Sequence, residues 1–110
     1  MNVSFEEIGR LAATFAHEGC ASGQVCKVID NAQVGPCNEG DDFCGFVESV
    51  RGGFAAVQVA GFVTVSVSGP LDVGYMQLCA DGAGGVMAGE GRKYLVVAAD
   101  KDSETAVIML

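Results

Sequence analysis

A chain of 110 residues, half of them hydrophobic, is long enough for one packed domain and too apolar for a disordered segment. Fourteen acidic residues against six basic ones give a net charge of −8, which excludes a surface that tracks nucleic-acid phosphates, because neutralising phosphates supplies most of such affinity. The longest apolar stretch, residues 55–67, is interrupted by Gln58, Gly61 and Thr64 and falls short of the roughly 20 residues of a membrane span; residues 1–7 are acidic and lead into no apolar signal core, so a product that stays in the cytoplasm and meets no membrane is expected.

Residues 1–18 carry two signals. Ser4 followed by Glu7 has the form of a capping box, and Phe5, Ile8, Leu11, Ala12 and Phe15 share one helical stripe that Gly19 can end. The run Leu11-Ala12-Ala13-Thr14-Phe15-Ala16 suits a strand equally well. The expectation is an N-terminal segment over residues 1–18, either a flexible arm or one helical turn, leading into a strand near Thr14.

From residue 19 to 110 the signals are those of a single β domain. Residues 25–29 alternate and end in the turn pair Asp30-Asn31. Val34-Gly35-Pro36-Cys37 contains a residue that cannot donate to a ladder, so it reads as an edge or a loop. Residues 38–42 are a polar turn. Residues 43–50 and 54–67 form the clearest hairpin, returning through Arg51-Gly52-Gly53. Val57, Val59, Val63, Val65 and Val67 keep a period of two, and Gly61 marks a bulge or bend among them. Ser68-Gly69-Pro70 ends that run. Residues 75–80 return at Val86-Met87 across a glycine turn, Gly89-Glu90-Gly91 is a loop, and residues 94–99 pair with 105–110 across residues 100–104. The fold class is all-β: a small glycine-rich antiparallel barrel or sandwich of about seven or eight short strands.

Candidate chemistry falls away group by group. His17-Glu18-Gly19-Cys20 places an imidazole, a carboxylate and a thiol close in sequence, but no oxyanion donors can be argued beside them. The five cysteines, Cys20, Cys26, Cys37, Cys44 and Cys79, show no Cys-x-x-Cys pair, and reduced thiols are expected. Cys26, Cys44 and Cys79 lie in apolar runs and read as small core residues. Glu39, Asp41 and Asp42, and Asp100, Asp102 and Glu104, are loop carboxylates; the second set lacks the length and central glycine of a calcium loop. Asp81-Gly82-Ala83-Gly84-Gly85 has no lysine and precedes no helix, so it is turn chemistry and no phosphate loop. Arg51, Arg92 and Lys93 are too few for a basic patch. No catalytic, cofactor-binding or metal-binding residue is therefore assigned. The remaining way to act is through surfaces, and self-association is an economical cover for valine-rich strands.

Gly23-Gln24-Val25-Cys26-Lys27-Val28 resembles the G-x-V-V-K opening of the small head decoration, or capsid cement, proteins of tailed bacteriophages and prophages. The likeness continues through residues 40–50, Ala56-Val57-Gln58-Val59-Ala60-Gly61-Phe62-Val63-Thr64-Val65, Ser68-Gly69-Pro70, Gly74-Tyr75, residues 81–86 and the closing hairpin from Leu95-Val96-Val97 to Ile108-Met109-Leu110. It implies a non-enzymatic virion protein, made in the host cytoplasm, that binds the major capsid protein or another virion protein, forms homo-oligomers such as trimers, and stabilises the shell. It transfers no catalytic residues. The cysteine count and the N-terminal segment depart from the family pattern. The same surface logic also fits a tail, fibre or adhesion component, and a thiol or metal protein using His17 and Cys20 is the remote third reading.

Overall fold

The computed structural model describes residues 10–110. The Ser4–Glu7 capping box and the helical positions Phe5 and Ile8 lie outside the described residues. Within them the protein is all-β, with strands β1 (Leu11–His17), β2 (Val25–Asp30), β3 (Gln33–Pro36), β4 (Gly45–Arg51), β5 (Phe54–Ala60), β6 (Phe62–Ser66), β7 (Gly74–Ala80), β8 (Val86–Asp100) and β9 (Thr105–Met109). No helix among these residues is long and apolar enough to cross a membrane.

The expectation left barrel and sandwich open, and the molecule combines a barrel with a second sheet. Strands β1-β3-β2-β4-β5 close into a barrel, and β6-β9-β8-β7 form a four-stranded sheet packed against it. Inside the barrel, Cys26, Val34, Val47, Ala55 and Val57 are buried together, with Phe15, Cys20, Cys44 and Val59 against them. A larger core joins barrel and sheet through Val25, Phe43, Val65, Leu78, Val86, Tyr94, Val96 and Ile108. Full burial of a side chain such as Leu78 or Ile108 contributes about 1.5–3 kcal/mol.

Three expectations change. The strand expected near Thr14 is present, but it begins at Leu11 and is no part of a detached arm: β1 closes the barrel, pairing antiparallel with β5 from Leu11↔Ala60 to Ala16↔Phe54 and parallel with β3 at Ala16↔Gln33. Without β1 both β3 and β5 would present open edges, so tertiary pairing overrides the helical stripe. Second, β3 is neither edge nor loop, because it sits between β1 and β2. Its pairing with β1 ends at Val34, two residues before Pro36, so the missing N–H takes no bond from that ladder. Third, Gly89-Glu90-Gly91 is a bulge inside β8. The register passes from Gln77↔Lys93 to Leu78↔Ala88 and leaves residues 89–92 without a partner on β7.

Gly61 does more than bend a strand. It takes a φ of 93° and carries the chain from the barrel into the second sheet. Gln58 secures this corner. Its side chain is buried, and its Nε2 donates to Ala60 O at 3.1 Å and Phe62 O at 2.8 Å. Gln58→Leu removes both of these bonds from the corner. The expected loss is about 2–3 kcal/mol in urea unfolding, with an unchanged m-value. A loss under about 0.5 kcal/mol would contradict this role.

Candidate functional site

The chemical candidates are spread over the molecule, and most are already engaged. Cys20 N–H donates to His17 Nδ1 at 3.2 Å, which leaves Nε2–H to donate to Gly52 O at 2.9 Å. Both imidazole nitrogens thus tie the end of β1 to its neighbours. The Cys20 thiol is pushed up by burial first and by Cys44 second, the opposite of what a histidine-activated nucleophile needs. Among the described residues, no three His, Cys, Asp or Glu side chains converge as metal ligands.

The carboxylates organise turns. Asp41 accepts from Lys27 Nζ at 2.6 Å and Asn38 N at 2.8 Å. Asp81 Oδ1 accepts from the amides of Ala83 at 2.7 Å and Gly85 at 3.0 Å, while Oδ2 accepts from Ser68 Oγ at 2.7 Å. The segment at residues 81–85 is therefore closed on its own aspartate, as turn chemistry requires. Asp100 accepts from Asp102 N at 2.9 Å and more weakly from Ser103 N at 3.4 Å. It lines a groove of about 280 Å³ between residues 67–71 and 99–105, together with Leu71, Lys101 and Glu104.

These bonds set an acid response. Lys27 and then Asn38 hold the Asp41 carboxyl below its usual range; Asp100 is held down by Ser103 and the Asp102 amide. Burial pushes Asp81 up, but the bonds from Ser68, Ala83 and Gly85 outweigh it. A carboxylate with a depressed folded-state pKa contributes fully above its unfolded value of about 3.9, and the contribution disappears as pH falls through the folded value. The Tm is expected to be level from about pH 7 to 5 and to fall below about pH 4. A Tm that rises on acidification through that window would contradict the assignment.

The largest candidate feature is a surface. Registers Phe62↔Met109, Leu95↔Met109 and Tyr75↔Leu95 place four large apolar residues in one row across all four strands of the second sheet. The inward neighbours Val63, Val96 and Ile108 are buried, so the row faces away from the core. Tyr75 is 72 % exposed and Met109 39 %. Thr64, Val107 and Ala98 form the next row, and Gln77 and Lys93 flank the first on its other side. Aligned partners lie about 4.5–5.5 Å apart, so the row is continuous. Its rim is polar, as at surfaces that meet partners.

Nothing in the pattern of histidines, cysteines and carboxylates points to this face, although the strands themselves carry a signal for it. Tyr94-Leu95-Val96-Val97-Ala98 and Ala106-Val107-Ile108-Met109 are apolar without alternation. Strands apolar on both faces belong between two covers, and here the core supplies one. A second group of exposed apolar residues, Ile29, Val50 and Phe54, sits at the hairpin ends of the barrel.

Neither a scan against protein-family models nor a search of curated proteins finds a match to this chain.

Proposed function

We propose that this chain is a non-enzymatic virion structural protein of a tailed phage or prophage, a head decoration protein that binds the capsid shell and stabilises it. The observation that carries the reading is the outward apolar row Tyr75, Leu95 and Met109 on a sheet whose central strands are apolar on both faces. Such a face is suited to a protein cover, and the likeness of residues 19–110 to capsid cement proteins names the kind of cover. The partner is the major capsid protein or another virion protein, with further copies of this chain beside it. A trimer matches the three-fold positions that shells offer. The excess of carboxylates suits a neutral or basic partner surface and opposes a nucleic-acid one. On this reading the chain is made in the bacterial cytoplasm and ends in the virion.

The direct test is co-sedimentation with expanded, undecorated shells of the phage that encodes the chain. Saturable binding is expected, and light scattering of the free protein is expected to give a trimer. Capture by tails in place of heads would reassign the chain to the tail or fibre. Binding to neither particle would overturn the proposal.

A further inference from the structure

Closing the barrel removes the edges of its five strands, so the sheet edges among the described residues belong to β6 and β7. The β6 edge runs on into the Val67↔Val86 bridge, where Ser68 N–H donates to Val86 O at 2.9 Å. On β7 such cover comes only at the far end: Ala80 N–H donates to Asp41 O, and Gly40 N–H to Ala80 O, each at 2.9 Å. From Gly74 to Gln77 the strand pairs with β8 on one side, and no other backbone among the described residues bonds to its outer side. Val73 is 68 % exposed there and Tyr75 72 %. Edges are ordinarily guarded by lysine, proline or a bulge that turns them away from pairing. Residues 73–80 hold no charged side chain and no proline, and the nearby bulge lies on β8, past Gln77.

The two ends of this edge carry carboxylates. Asp72 precedes it and Asp81 follows it. Asp42 stands beside Leu78, since a Cβ added to Gly91 would meet both Leu78 O and Asp42 Oδ1. Lys93, paired with Gln77, lies one strand further in. These charges choose between occupants. An antiparallel pairing of β7 in two copies of the chain would set the Asp72 of each against the Asp42 and Asp81 end of the other, and each copy carries a net charge of −8. A segment that is neutral in its middle and basic at its ends meets attraction at the same two places.

We propose that the outer edge of β7 accepts an extended segment of the shell protein as a fifth strand of the second sheet, neutral opposite residues 73–77 and carrying lysine or arginine at its ends. The added strand takes up the outward backbone groups of β7, which supply affinity and fix its register. Its outward side chains stand beside Tyr75 and prolong the row of Phe62, Met109, Leu95 and Tyr75 by one position. The inference rests on the reading of the chain as a shell-binding protein and names the backbone part of that contact.

Amide hydrogen exchange of the full chain, free and bound to expanded shells, separates strand addition from simple cover of the sheet face. Alternate amides between Val73 and Gln77 point outward, and they are expected to exchange at least about tenfold more slowly on the shell than in the free chain. Asp72→Lys is expected to weaken shell binding by about tenfold with an unchanged Tm, since this side chain is exposed. Shell binding with unchanged exchange across residues 73–77 would overturn the added strand and leave the shell-binding reading in place. Outward amides that are already slow in the free chain would overturn it too, because the edge would be occupied before the shell is met. Binding of Asp72→Lys equal to that of the parent would overturn the basic ends assigned to the segment. A chain that binds no shell overturns the shell-binding reading and this inference with it.

Discussion

Gly45→Val is expected to unfold the barrel, with a loss of about 4 kcal/mol or more, a large share of the stability of a domain this size. A Cβ at Gly45 would lie 2.5 Å from Gln58 O and 2.7 Å from Val57 Cγ1. The first contact is with backbone and cannot be relieved by a rotamer change. To make room, β4 must move off β5, which breaks the Phe46↔Gln58 and Val47↔Val57 pairs. The same movement disturbs Gln58, which holds the corner into the second sheet. Gly53→Ala is the matched control, because a Cβ there meets nothing within 4 Å. It is expected to change stability by less than about 1 kcal/mol. Urea denaturation of both variants checks the pair. A Gly45→Val protein with a midpoint near that of the parent would mean that the β4–β5 spacing is not set by this glycine.

The second large effect is on binding. Tyr75→Asp combined with Met109→Asp is expected to weaken shell binding on the order of a hundredfold, about 2.7 kcal/mol, with a Tm within a few degrees of the parent. Both side chains are exposed, so the folded chain loses little when they change. In a desolvated contact, however, two unpaired carboxylates would face an apolar cover. Phe54→Asp, at the barrel end away from the sheet, is expected to bind as the parent does. Equal binding by the parent and the double variant would remove the sheet face from the account.

Much of the fold was legible because period-two alternation and turn glycines act locally. The hairpin of β4 and β5, the return of β7 on β8 and the pairing of β8 with β9 all follow from residues within a few positions of a turn. What was not legible depends on distant partners. Leu11 to Ala16 suited a strand as well as a helix, and β3 and β5, which need a neighbour on each side of it, decide between the two. Val57 and Val63 continue one alternation, yet they lie in different sheets, because Gly61 redirects the chain between them. Pro36 suggested an edge, whereas its position beyond the last β1 pair let β3 stay inside the barrel wall. The candidate face lay in between. The doubly apolar strands were visible in the sequence, but only the cross-strand registers show that Tyr75, Leu95 and Met109 align and point outward.

That face is the centre of the account, and hydroxyl-radical labelling of shell-bound against free protein tests it most directly. Tyr75 and Met109 react readily when exposed, and both are exposed in the free chain. The account predicts that labelling of Tyr75 and Met109 falls severalfold on the shell while labelling of Phe54 at the barrel end stays constant. Unchanged labelling of Tyr75 and Met109 on fully decorated shells would contradict it.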